Sequence, residues 1–475
     1  MDDHTVDYSR KWYVMAAVGT GIFLSTIDGS IVNIALPYLE TAFETEFAVV
    51  QWVVLAYLLV ISTLMLSVGR LADMIGKKPL YTSGFVVFTI GSVLAGLSPT
   101  VYWLIGFRVL QALGAVMLVA LGMGIVTEAF PPSERGKALG IVGALVSIGI
   151  VIGPTLGGIL ISLYSWRLIF YVNLPVGIVG TILAWRYIPG IKPPGGQRFD
   201  FGGAVTLFIS LLSFSLALTA GQQLGFTDPL ILAMFAVFIL FLIIFIVIEW
   251  RVEQPMIDLR LFDNSLFNVG LVTGFIAFVA IAGTIILIPF YLGNVLGYGV
   301  LQVGLMMVVV PIGLGIVSPI SGSLSDRFGT RLITVIGLAI LVFGYLAIST
   351  LQVDTTTFGY VLRFLPIGIG MGVFQSPNNS AIMGTAPRSR LGIVSGMLAA
   401  SRTTGQTTGV ALLGAIWAAG VFSYAGGSLA GGATAASGLA QVHGLQVTFR
   451  IMAVFITMAL LLAIWALVHE HRTET

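Results

Sequence analysis

The chain has 475 residues, 57% of them hydrophobic and only 9% charged, with a mean hydropathy of +1.03 and a formal net charge of +2. Soluble domains carry about 25% charged residues, so an aqueous core cannot hide this much apolar surface, and the chain reads as an all-α integral membrane protein. Cysteine is absent, and His4, His443, His469 and His471 fall in a terminus or a predicted loop. A disulfide framework and a thiol nucleophile are therefore excluded, and no metal site is expected.

The first eleven residues are polar and of mixed sign, and the apolar run behind them is long enough to span, so it reads as a helix rather than a cleavable leader. A span needs roughly 20 mostly apolar residues. Fourteen such runs follow in order, at about 12–39, 47–72, 79–98, 101–129, 134–163, 167–188, 201–221, 228–250, 265–293, 300–325, 331–350, 356–385, 391–421 and 446–469. Pro154, Pro311, Pro319, Pro366 and Pro377 lie inside them, which packed membrane helices tolerate. With the N-terminus in the cytoplasm, 17 of the 22 Lys and Arg fall on the inner side. Arg108, Arg167, Arg363, Arg402 and Arg450 lie in or beside predicted helices, and the long Gly/Ala/Ser-rich stretch 423–444 has none. Both termini are thus expected in the cytoplasm.

The chain repeats itself. Gly69-Arg-Leu-Ala-Asp-Met-Ile-Gly-Lys-Lys78 returns 253 positions on as Gly322-Ser-Leu-Ser-Asp-Arg-Phe-Gly-Thr-Arg331. Pro37 is answered by Pro289, and the 27-residue spacing of Arg108 and Arg135 by that of Arg363 and Arg390. Such repeats build many secondary transporters. We therefore expect a six-helix bundle over 1–188, a linker and inserted hairpin (the seventh and eighth runs) over 189–263, and a second six-helix bundle over 264–475.

Five motifs carry a family resemblance: Leu24-Ser-Thr-Ile-Asp28-Gly-Ser-Ile-Val-Asn33-Ile-Ala-Leu-Pro37; Gln51-Trp52 with Tyr57-Leu-Leu59; Gly69–Lys78; Gly149-Ile-Val-Ile-Gly153-Pro154-Thr-Leu-Gly157-Gly158; and Trp166-Arg-Leu-Ile-Phe170 with Asn173-Leu-Pro175-Val-Gly177. Together they resemble the major facilitator superfamily, and specifically its fourteen-helix drug:proton antiporter branch of EmrB/QacA-like exporters. The resemblance implies a major facilitator fold of fourteen transmembrane helices in a bacterial-type plasma membrane. It also implies a proton-coupled antiporter that exports amphipathic or lipophilic, cationic compounds by alternating access. A dedicated exporter of a lipid, metabolite or tetracycline-like compound is the alternative. Protons, a small amphipathic substrate and the bilayer would be its partners, with no nucleic acid, and the working unit a monomer. No cofactor is expected: a G-x-x-x-x-G-K-[ST] loop is missing, leaving the proton gradient as the energy source. No catalytic constellation points to an enzyme.

Individual residues sharpen this. Asp28 sits about sixteen residues into the first run, roughly 24 Å from its start, where an ionised carboxylate is costly and protonation couples to surroundings. It reads as the proton carrier; the plainer reading is a packing Asp bonded to Asn33 or Ser30. Arg108 is its basic counterpart, the family's matching arginine being implicated in coupling, or else it snorkels to the outer interface. Arg402, in Ser401-Arg-Thr-Thr-Gly405-Gln-Thr-Thr-Gly409, reads as structural or gating. Gly69, Arg70, Asp73, Gly76, Lys77 and Lys78, with Asp326, Arg327 and Arg331, are expected to gate the cytoplasmic side, the basic residues also fixing topology. Gly149, Gly153, Pro154, Gly157 and Gly158 form a smooth, kinked helix face, which in the family marks antiporters and would meet a helix-8-type neighbour. A midplane cavity is expected, with Asn33, Gln51, Tyr57, Gln111, Met117, Gln375, Asn378 and Asn379 as candidate lining residues. The tenth run lacks a membrane-depth acid, which puts divalent cationic drugs in doubt.

Overall fold

The structure is a computed structural model that describes residues 8–131, 134–190, 200–252, 255, 257, 259–385 and 391–474, apart from some side chains that include Arg70 and Asp73. All the regular secondary structure in it is helical. Fourteen helices are long and apolar enough to cross a membrane, and the protein is a multi-pass integral membrane protein. The first half holds α1 (Lys11–Ala42), α2 (Trp52–Ile75), α3 (Lys77–Gly96), α4 (Val101–Ala129), α5 (Arg135–Leu163) and α6 (Asn173–Tyr187). The hairpin is α7 (Phe201–Leu224) and α8 (Pro229–Arg251). The second half holds α9 (Ser265–Phe290), α10 (Val300–Phe328), α11 (Thr330–Ile348), α12 (Thr357–Gly384), α13 (Leu391–Ala425) and α14 (Gly438–Glu474).

Local chemistry sets many of these boundaries. Thr100 and Thr356 cap α4 and α12, each accepting a backbone N–H three residues on, and Asn264, Asp200 and Asp228 cap α9, α7 and α8. α10 is broken at Val308 into Val300–Met307 and Val309–Phe328. Pro311 then falls in the first turn of the second segment, where its missing N–H costs little. α14 begins at Gly438, earlier than hydropathy suggests, because Gln441 interrupts the apolar run. Its amide is nevertheless buried and donates to the carbonyls of Thr434 and Ala436.

The repeat is visible in the packing. In the first half α1 packs on α5 and α6, α2 on α4, and α3 on α4 and α6; in the second, α9 packs on α13 and α14, α10 on α12, and α11 on α12 and α14. The turn between α2 and α3 is made at Gly76 (φ 96°, ψ 146°), and that between α10 and α11 at Gly329 (φ 86°, ψ 145°). Only glycine enters that region freely. The two halves touch along α5–α10 and α2–α13. α7 packs on both α2 and α13, so the hairpin lies across the seam, and Trp52 donates to Thr219 from α2 to α7 at 3.2 Å. α8 packs mainly on α7 and turns most of its surface outward.

Candidate functional site

Asp28 is fully buried in α1 and is held by three side chains from two other helices. Arg108 Nη1 on α4 donates to one carboxylate oxygen at 2.6 Å; Gln111 Nε2 and Asn173 Nδ2 donate to the other at 2.8 and 2.9 Å. Arg108 and Gln111 lie one turn apart on α4, and Arg108 also donates to Gln111 Oε1 at 2.7 Å and, through Nε, to the carbonyl of Val53 at 3.0 Å. Asn173, the first residue of α6, donates in addition to Ser92 Oγ, which in turn donates to the carbonyl of Phe170. Tyr57 covers the guanidinium from α2, its ring centroid 4.1 Å from Cζ. The three side chains that hold Asp28 are at most 1% exposed. A carboxylate and a guanidinium removed from water are tolerated only in such a paired, hydrogen-bonded state.

This replaces both plainer readings of the pair. Asp28 is not bonded to Ser30 or Asn33: Ser30 donates to the carbonyls of Ile27 and Gly149, and Asn33 to that of Gly29. Arg108 does not snorkel; its charge faces inward. Asn173 and Ser92 were missed as network members. A polar residue directly behind the aromatic Trp166–Tyr171 stretch was the available signal.

A cavity of about 2000 Å³ separates the two halves. It reaches Ile288 and Tyr360 towards one end and Trp250, Arg260 and Asp263 at the other, where the helix ends carry Lys77, Lys78, Arg251 and Arg327. At the far end the halves are sealed by an apolar cluster in which Phe47 meets Phe290 and Trp417, both ring pairs 5.0 Å apart. Thr434, in the loop before α14, also donates to Glu40 of α1 there. Arg108 and Tyr57 line the cavity, so the buried network borders it directly. The Tyr57 hydroxyl has no hydrogen-bond partner among the described residues.

Of the candidate lining residues, Asn33, Tyr57, Gln375, Asn378 and Asn379 face the cavity. Asn378 is mostly engaged, donating to the carbonyl of Gly270 and accepting from Thr273. Gln51, Gln111 and Met117 are off the wall and correct the expectation. Gln51 is buried beneath Gly414, Gln111 belongs to the Asp28 network, and Met117 packs on Gly84 of α3. α4 is rotated so that Gln111 and Met117 point into the first half, whereas Gln51, just before α2, is buried at the seam with α13. Phe278, Gln406 and Arg402 join the wall instead.

The glycines of α5 meet two partners. Gly149, Gly153 and Gly157 lie against Thr26, Ser30, Ile31 and Ile34 of α1, whereas Gly158 faces Val300 and Leu301 of α10. Gly304 of α10 reaches the carbonyl of Pro154 in return. The neighbours are α1 and α10; because the inserted hairpin shifts the count by two, α10 holds the helix-8-type place, while α8 itself lies outside. In the hinge, Gly69 lines the cavity and Lys77 pairs with Glu128 of α4, inside the first half. Asp326 and Arg327 are exposed and make no ion pair among the described residues, while Arg331 is buried. The side chains of Arg70 and Asp73 lie outside the described set, as do Arg388 and Arg390. Arg363 donates to Thr350 and to the carbonyl of Gly359, tying the turn after α11 to α12.

The model of the Major Facilitator Superfamily matches residues 18–410 and 271–475. The chain is 37% identical over 413 residues to the riboflavin transporter RibZ of Clostridioides difficile, covering 86% of this chain and 89% of that one. It is 34% identical over 406 residues to the multidrug resistance protein Stp of Mycobacterium tuberculosis, covering 85% and 75%. Among solved structures, a bacterial homologue of the human lysosomal transporter Spinster superposes with a TM-score of 0.67 at 20% identity over 96% of both chains. The peptide-transporter-family protein PepTSo gives 0.68 at 16% over 98% of both. At those identities the likeness concerns the fold. With a buried charge network beside a cavity between two repeated six-helix bundles, this chain is a transporter rather than an enzyme, and it belongs to the Major Facilitator Superfamily, among its multidrug-type members.

Proposed function

We propose that the protein is an exporter that exchanges amphipathic compounds for protons by alternating access. The observation that carries this is the Asp28–Arg108 pair, buried at membrane depth yet bordering the cavity through Arg108 and Tyr57. A proton on Asp28 removes the counter-charge of Arg108, so the guanidinium must find new partners and α1 and α4 must adjust. Cargo against Tyr57 and Arg108 feels that change, which is the coupling an antiporter needs. The positive charge of the helix ends and loops at the open end supports a reading with both termini and the cavity mouth on the cytoplasmic side of a bacterial-type plasma membrane. This is then the inward-open state, with the Phe47–Phe290–Trp417 seal outside, and the unit works as a monomer.

The exposed Asp326 and Arg327 fit this state: with the cytoplasmic side open, hinge contacts between the halves are broken. They would form, with Asp73 and Arg70 as partners, when the halves rock and the far side opens. A second reading, a dedicated transporter of one metabolite, is favoured by the 37% identity to a riboflavin transporter.

The test is proton release from purified protein in weakly buffered detergent on adding ethidium or riboflavin, with Asp28→Asn alongside. Release from wild type alone, with whichever compound binds, is the expected result. Release from both would move the exchanged proton to another carboxylate, such as Glu128. Binding without release from either would sink proton exchange.

A further inference from the structure

Among the residues with which α13 lines the cavity, Ser395, Ala399, Arg402, Gln406 and Val410 form a stripe at i, i+4, i+7, i+11 and i+15. On the flank of that stripe Gly405 and Gly409 press against the backbone of Phe275 and Val279 on α9, which fixes the rotation of the helix. That docking leaves Arg402 no freedom to turn away. It lies eleven residues into the helix, roughly 16 Å from the basic end, too deep to reach the interface readily.

Its surroundings differ from those of Arg108. Among the described residues no carboxylate, carbonyl or hydroxyl hydrogen-bonds to Arg402; its guanidinium lies over the face of Phe278, with Cζ 5.3 Å from the ring centroid. The other charged lining residues are Arg108, already neutralised by Asp28, and Glu249, Arg260 and Asp263 at the mouth. Deep in the cavity the balance is therefore one uncompensated positive charge. A lipophilic cation, the cargo expected from the resemblance, would meet repulsion there and find no free carboxylate among the described residues.

An unpaired guanidinium at membrane depth is expensive and is kept for a partner. Arginine offers a planar fork that matches a carboxylate or similar oxyanion, and the ring of Phe278 offers a face for a flat apolar body. We infer that Arg402 and Phe278 form the cargo-recognition site for an organic anion, an oxyanion group carried on a planar aromatic body. The inference rests on reading the central cavity as the cargo site, and it names the charge of the cargo.

Two xanthene dyes of similar shape and opposite charge, fluorescein and rhodamine 6G, test it by fluorescence anisotropy with the purified full-length protein. Wild type binds fluorescein more tightly. Arg402→Gln weakens fluorescein about tenfold or more, the loss expected for a charge-assisted bond, and Arg402→Lys weakens it less. Rhodamine 6G binding is unchanged or stronger in Arg402→Gln, which also reports a folded cavity. If Arg402→Gln aggregates, Phe278→Leu carries the test, with a severalfold loss for fluorescein. Tighter binding of rhodamine 6G by wild type, binding of neither dye, or fluorescein affinity unchanged in Arg402→Gln or in Phe278→Leu would each overturn the inference. Binding is read without protons or transport, so a protein that binds fluorescein through Arg402 yet releases no proton loses the exchange mechanism and keeps this site.

Discussion

The two halves share helix packing and hinge geometry but have opposite cores. Asp28 of α1 corresponds to Ala280 of α9, 252 positions on, in the register set by Pro37 and Pro289. Counting from the capping threonines of α4 and α12, Arg108 corresponds to Phe364 and Gln111 to Ile367. All three replacements are buried and apolar, and the polar contact near them is a hydroxyl pair, Thr284 and Tyr345 at 3.2 Å. One scaffold thus holds either a charged network or a hydrocarbon core. The fold does not need the charges, so their presence in the first half points to function.

Making the first half resemble the second tests this most severely. Asp28→Ala leaves Arg108 buried without its carboxylate and should cost about 3–5 kcal/mol, seen as a large drop in thermal stability in detergent. The double variant Asp28→Ala/Arg108→Phe copies the second half, removes both charges and should recover most of that loss. If it did not recover, the network would be structural in its own right. Asn173→Ala removes one donor to the carboxylate and should cost about 1.5–3 kcal/mol, while the hydroxyl pair's Thr284→Val should cost less in the same assay.

The shared features should respond equally. Gly76→Ala and Gly329→Ala each force a side chain into the same glycine-only backbone region, at about 1–3 kcal/mol apiece; thermal shifts that differ widely between the two would break the equivalence of the hinges. The smallest effect belongs to Lys77→Gln. Its partner Glu128 is 45% exposed, and partly solvated pairs contribute about 0–1 kcal/mol. Unfolding temperatures within a degree or two of wild type are expected, and a large loss would show that the pair carries the hinge.

The Arg108 and Arg363 spacing shows where sequence symmetry misleads. Both arginines lie 27 residues before a second arginine, yet Arg108 is eight residues beyond its capping threonine and Arg363 seven. One residue turns a helix by about 100°, which is enough to point one guanidinium at Asp28 and the other at Thr350.

The amino-acid sequence by itself determined the fourteen spans, the repeat with its inserted hairpin and a carboxylate placed at membrane depth. These depend on hydropathy, length and local spacing, which are properties of short stretches of chain. Only the tertiary structure decided that Gln111 and Asn173 hold Asp28, that Gln51 and Met117 are off the cavity wall, that α7 bridges α2 and α13, and that Arg402 faces the cavity without a counter-charge. Each of these depends on how a helix is rotated about its axis and which neighbour it meets. Contacts between residues 80 to 145 positions apart set that rotation, and local hydropathy does not encode it.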